Sequence, residues 1–111
     1  MVKPEAVRRG DVFLVGLDPT RDRRMQKARP CVVVSPDELN SHLRTFIMAP
    51  MTIGGHPYPF RIPCRFSGRA GYVVLDQIRI VDRERLVRRL GRLSPATLGR
   101  ALVVLQEMFV P

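Results

Sequence analysis

The strongest constraint on this chain is its cadence. Short apolar runs are cut every few residues by Pro, Gly or a charge cluster, and a single long helical period closes the sequence. Residues 11–17 (DVFLVGL) alternate loosely and are rich in Val and Leu, which predicts a strand. Residues 31–34 (CVVV) form a short continuous apolar run, as in a strand buried on both faces. Ser35-Pro36-Asp37-Glu38 reads as a capping box, with Ser35 as N-cap, Pro36 at the first helical position and Glu38 reaching back. It predicts a short helix to about His42. Residues 45–49 (TFIMA) are the next strand, expected to stop at Pro50. Gly54-Gly55-His56-Pro57 is a turn. Residues 58–65 hold Pro59 and Pro63, so that strand belongs at an edge. Residues 67–71 turn the chain into 72–81 (YVVLDQIRIV), the longest strand candidate.

Residues 82–86 fit one helical turn, and 87–93 fit either helix or strand. Ser94-Pro95 then starts a helix whose Leu98, Leu102, Leu105 and Phe109 recur at helical spacing, with Ala101 and Met108 beside them. Arg100, Gln106 and Glu107 make its wet side. Val103 and Val104 widen the apolar stripe beyond what one sheet face covers, an excess that a partner chain would bury. Several short strands followed by one helix predict a mainly β domain, a small closed or half-closed barrel with a C-terminal α-helix. At 111 residues there is room for one such domain, expected over 10–111 behind a short basic arm at 1–9.

Charge narrows the partner. The net charge is +9, and 17 of the 19 basic residues are Arg. A surface of guanidinium forks points to an anionic partner, nucleic acid first, then an acidic protein, then a membrane surface. Aromatic residues are 6% with no Trp, too few for a binding face built from stacked rings. Cys31 and Cys64 stand apart without ligand spacing and read as reduced thiols in apolar surroundings. With two His and few acids, no metal site is expected, and no cofactor motif is present. No run approaches a membrane span and residues 1–5 carry no signal-peptide core, so the expected location is cytoplasmic.

The residues open to chemistry sit at segment ends. Arg29 precedes Pro30 where a basic stretch (Arg21, Arg23, Arg24, Lys27) enters a buried strand. Thr52 lies just past the strand expected to stop at Pro50. Asp76-Gln77 interrupts an apolar run, either as a structural pair tying down loop amides or as a functional one. His56 lies in a turn, where it is solvated or borders a site.

In its blocks RRGDVFLVGLDPTR (8–21), ARPCVVVSPDELN (28–40), APMT (49–52), VVLDQIRIVD (73–82) and RLGRLSP (89–95), the chain resembles the MazF/PemK (Kid) family of toxin endoribonucleases. The resemblance covers about residues 8–110. It implies an SH3-like barrel of the MazF/PemK/CcdB kind, a homodimer, and metal-independent cleavage of single-stranded RNA. In that reaction the 2′-hydroxyl attacks the adjacent phosphodiester, leaving a 2′,3′-cyclic phosphate and a 5′-hydroxyl. It also implies a cognate antitoxin with an acidic, disordered tail. It would make 87–93 a strand.

Residue by residue, Arg29 matches the Arg-Pro arginine that stabilises the scissile phosphate, and Thr52 the threonine that contacts it. Asp76 and Gln77 match an Asp-Gln pair in which the Asp serves some members as a base and the Gln touches RNA. The sequence departs from the pattern at Arg23 and Arg24, where members often carry His-Glu or Ser-Glu. It departs again at Val74, where some carry a second arginine. Asp76 is then the remaining candidate base, and Arg21, Arg23, Arg24, Lys27, Gln77 and His56 the candidate RNA contacts. Two other readings use the same barrel: a CcdB-like poison of DNA gyrase working through the helix tip 108–111, and an RNA-binding module without catalysis.

Overall fold

The computed structural model describes residues 7–16 and 28–111. Arg21, Arg23, Arg24 and Lys27, and with them most of the expected basic loop, lie outside the described residues, as do residues 1–6 of the expected arm. Among the described residues seven strands and two α-helices follow one another: β1 (Asp11–Gly16), β2 (Ala28–Val33), α1 (Asp37–Asn40), β3 (Thr45–Ile53), β4 (Arg61–Phe66), β5 (Arg69–Val74), β6 (Arg79–Asp82), β7 (Leu86–Arg92) and α2 (Pro95–Met108). The strands form one antiparallel sheet in the order β4-β5-β3-β2-β1-β7, with β6 on the first half of β3.

Among the described residues β4 and β7 share no ladder, so the barrel is half closed. The gap is spanned by packing: the Phe66 ring lies 3.4 Å from where a Cβ on Gly91 would stand. Gly91 has φ +150°, and a side chain there would be strained as well as pressed against that ring.

Each face of the sheet carries a buried cluster, and alternation sorts its residues. Val12, Val32, Ala49, Met51, Ile62 and Val73 point to the side on which α2 packs with Ala101. Phe13, Val15, Cys31, Val33, Phe46, Met48 and Val81 fill a second cluster on the other side. This is why 31–33 read as a continuous apolar run: each residue is fully buried, on alternating faces. Val7 joins the second cluster, and the Arg9 guanidinium donates to the Val34 carbonyl at 2.9 Å, so the last residues of the expected arm pack onto the domain. Buried Asp11 accepts from Arg89 at 3.0 Å, Arg92 at 2.6 Å and the Arg8 N–H at 2.9 Å, tying both ends of the chain across β1.

Four local expectations change. Ser35 does not cap α1. Its hydroxyl donates to the buried Asn40 side chain at 2.6 Å and accepts the Ile47 N–H, while the N-cap is Pro36 with no side-chain bond. β3 runs through Pro50 to Ile53, because β6 pairs with it up to Met48 and β5 from Met51, and the missing N–H falls between those ladders.

The apolar run 72–81 is not one strand. A 3-10 turn at Leu75–Gln77 separates β5 from β6. Finally, Phe109 is 71% exposed rather than core, beyond the end of α2.

Residues 86–92 form a strand, and their helix-like spacing has a cause. The β1–β7 register shifts twice, leaving Val87 and Leu90 as extra residues that break the two-residue period. The turn expected near 82–86 is a 3-10 turn at Arg83–Arg85, with Asp82 accepting from the Glu84 N–H. Ser94 caps α2 through the Thr97 N–H at 3.2 Å. Among the described residues no helix is long and apolar enough to cross a membrane.

Candidate functional site

The second hydrophobic cluster covers only part of its sheet face; toward the ends of β2, β3 and β5 that face is open and cationic. The β2–β3 register pairs Cys31 with Pro50 and Val32 with Ala49. The ladder ends there, and two residues further along each strand alternation puts Arg29 and Thr52 on the face of Cys31 and Pro50. Thr52 in turn pairs with Tyr72 on β5. Its hydroxyl accepts the Tyr72 N–H at 3.2 Å and donates to the Gly54 carbonyl at 3.1 Å. Two glycines allow this. A Cβ on Gly71 would stand 1.7 Å from the Thr52 carbonyl oxygen, so β5 reaches β3 only through a glycine. Gly55, at φ +103°, folds the next turn back over Thr52 and the Tyr72 ring.

Arg79 of β6 faces Met48 and so shares this face. Arg29 and Arg79 both act electrostatically on the buried Cys31 thiol. Burial outweighs them and pushes that thiol up to about 11, which makes it inert as a nucleophile. Cys64, half buried, is also pushed up by burial. Arg79 lay hidden in the sequence inside what looked like one strand; only the 3-10 turn at 75–77 separates it from the run before it.

Asp76 sits in that turn and is not isolated. Arg61, the first residue of β4, grips it with two bonds, Nε to Oδ1 at 3.1 Å and Nη2 to Oδ2 at 3.2 Å. This hydrogen-bonded cation holds the carboxyl below the usual carboxylate range. The same guanidinium lies 4.9 Å from the centre of the Tyr58 ring. Gln77 and His56 are exposed, at the end of the turn and in the 54–60 connection. Thus alternation puts Arg29 and Thr52 on one face of the sheet, and Asp76 belongs to a neighbouring cluster with Arg61 and Tyr58.

Next to Pro30 and reaching Thr52 lies a cleft of about 540 Å³, walled also by Leu14, Met51, Phe66 and Leu90 with Arg69 and Arg88. Among the described residues no three His, Cys, Asp or Glu side chains cluster to hold a metal ion.

A half-closed antiparallel barrel with one C-terminal helix and an arginine-bearing open face defines a class of small β proteins suited to anionic partners. The chain belongs, more narrowly, to the PemK-like, MazF-like toxins of type II toxin–antitoxin systems, whose family model matches residues 8–109. It is 36% identical over 115 residues to the endoribonuclease toxin ChpB of Escherichia coli, covering 97% of this chain and 98% of that protein. It is 33% identical to endoribonuclease MazF9 of Mycobacterium tuberculosis, over 85% and 88% of the two chains. Among solved structures, MazF of Deinococcus radiodurans superposes with a TM-score of 0.75 at 23% identity, over 91% and 94%. A mycobacterial endoribonuclease in complex with its cognate antitoxin gives 0.73 at 25%, over 94% and 98%.

Proposed function

We propose that this chain is a toxin endoribonuclease that cuts single-stranded RNA without a metal ion. What supports the reading is the shared sheet face of Arg29 and Thr52, in a family whose relatives over nearly the full length are named endoribonuclease toxins. In the proposed reaction the 2′-oxygen forms a bond to phosphorus and the bond to the 5′-oxygen breaks. Charge builds on the non-bridging oxygens, and a fixed guanidinium with a neighbouring hydroxyl stabilises that charge more than the ground state. Arg29 supplies the cation and protonates the leaving 5′-oxygen. Thr52 turns its proton from the Gly54 carbonyl to a phosphate oxygen, while the Tyr72 N–H keeps the hydroxyl in place.

Asp76 accepts the 2′-hydroxyl proton. Arg61 keeps it ionised but weakens it as a base, so it carries less of the catalysis than Arg29. Gln77 and His56 are exposed where an RNA strand leaving Thr52 would run. Arg21, Arg23, Arg24 and Lys27 add phosphate contacts from the basic stretch.

Two partners belong to the reading. The uncovered stripe of α2 (Val103 55% exposed) and the exposed Phe109 and Val110 behind it are apolar surface that a second copy of the chain would bury. A cognate antitoxin would lay an acidic tail on the cationic face and compete with RNA, as the +9 charge favours.

The test is a long RNA incubated with the purified protein in EDTA, with the new 5′ ends mapped. Cuts at a short recurring sequence, bearing 5′-hydroxyl and 2′,3′-cyclic phosphate ends, are expected. Ends bearing 5′-phosphate, or cutting only after a divalent ion is restored, would overturn the mechanism.

A further inference from the structure

The cluster around Arg61 does more than hold Asp76. A guanidinium has five N–H groups in one plane. Asp76 takes the side-on edge, Nε with Nη2, and Tyr58 lies over one face. Among the described residues nothing bonds the end-on edge, Nη1 with Nη2. The backbone around it is braced. Phe60 holds a left-handed φ of +64°, a rare conformation for a bulky residue. Its carbonyl accepts the Leu75 N–H at 3.1 Å, and the Arg61 N–H bonds Tyr58.

The sheet then aims the group. Arg61 pairs with Val74 and Pro63 with Tyr72, and Tyr72 pairs with Thr52. Opposite residues share a face, so Arg61 rises from the same face as Thr52 and Arg29. Its backbone is three strand spacings across the sheet from Arg29, roughly 14 Å at about 4.8 Å each, and two residues along it, roughly 7 Å more in that direction. That offset, with Asp76 between Arg61 and the cut site, suits the phosphate next along the strand from the one Arg29 grips.

From this geometry we infer that Arg61 is a phosphate-binding residue of the RNA path, its end-on fork held ready by Asp76 and Tyr58, and that it reads a backbone phosphate outside the scissile one. Carboxylate on one edge and phosphate on the other is a use of the planar fork that Lys could not copy. Because Arg61 lies at an edge strand, its contact sets the footprint of RNA on the protein rather than the bond that is cut.

The inference rests on the nuclease reading, and the test separates the two. Wild-type protein first cuts an RNA oligonucleotide to locate the site; if it cuts none, the nuclease reading falls before Arg61 is tested. The oligonucleotide is then made with a 2′-deoxy group at that site, so that it binds without reacting. A set of these carries one uncharged methylphosphonate at each flanking position in turn. Binding is measured for wild type, Arg61→Gln and Arg61→Lys.

Arg61→Gln should weaken binding about tenfold or more and lower the log–log salt slope by about 0.7. One methylphosphonate position should weaken wild type to a similar degree and be nearly silent in Arg61→Gln. Arg61→Lys should recover the salt slope but only part of the affinity. If Arg61→Gln does not fold, the same scan on Arg61→Lys should still show a blunted effect at one position. Equal penalties at every position in wild type and variant would overturn the inference while leaving the nuclease reading intact.

Discussion

Gly71→Ala tests how tightly the fold holds Thr52. The added Cβ would stand 1.7 Å from the Thr52 carbonyl oxygen and 2.7 Å from its carbonyl carbon. Ordinary contacts start near 3.4 Å, and both of these atoms are backbone, so no side chain can swing aside. The strands must part by well over 1 Å where β5 meets β3. At stake are the last pairs of that ladder, Thr52 with Tyr72 and Ile53 with Gly71, and the Gly54 N–H to Ala70 carbonyl bond of 2.8 Å. Overpacking costs about 1–3 kcal/mol, and two or three lost hydrogen bonds add roughly 1 kcal/mol each. The sum is about 3–6 kcal/mol, or a fall in Tm of roughly 15–30 °C for a domain of this size.

Thermal unfolding followed by far-UV circular dichroism measures it. Gly99→Ala is the control: nothing lies within 4 Å of its Cβ position, in the exposed side of α2. Helix propensity alone should make that variant up to about 1 kcal/mol more stable. A Gly71→Ala protein melting within a few degrees of wild type would refute the close approach that places Thr52.

Other perturbations probe separate parts of the account. Asp11→Ala removes a buried carboxylate with three donors, leaving half-exposed arginines that water can solvate; about 2–3 kcal/mol of stability should go, seen as a lower urea midpoint with activity retained per folded molecule. Thr52→Ala should slow cleavage less than loss of Arg29 does, and Thr52→Ser should keep most of the rate, in single-turnover assays, because the hydroxyl is what meets the phosphate. Asp76→Asn should fold and cleave slowly, by less than the loss from removing Arg29; an unchanged rate would remove Asp76 as the base. Because the Asp76 pKa is lowered in the folded state, its ion pair with Arg61 adds stability above the ordinary Asp pKa of about 3.9, and that small contribution fades as pH falls below it. Acid titration of wild type against Asp76→Asn should therefore converge at low pH.

Much of this could be read from the residues. The strands at 11–16 and 31–33, the edge position of the Pro63 strand and the capped C-terminal helix follow from alternation, proline and Ser94-Pro95. What escaped has physical causes. Pro50 looked like a stop because its missing N–H counts against a strand, yet it falls where β3 changes partners. Two inserted residues in β7 gave a strand the spacing of a helix. Ser35 had the right neighbours for a cap, but buried Asn40 claimed its hydroxyl.

At the site, Arg29 and Thr52 stood out at segment ends, whereas their adjacency is a matter of register. Arg61 and Arg79 carried no local signal. Their place on the cationic face comes from strand pairings between segments far apart in the chain.

The central claim is that Arg29, fixed beside Thr52, stabilises the phosphate as it is cut. Its direct test is Arg29→Ala, with the single-turnover cleavage rate and the thermal melt measured on one preparation. Arg29 is exposed, so the melt should match wild type, and the rate should fall on the order of 100-fold or more. A variant with the wild-type melt that still cuts within a few-fold of the wild-type rate would contradict the account.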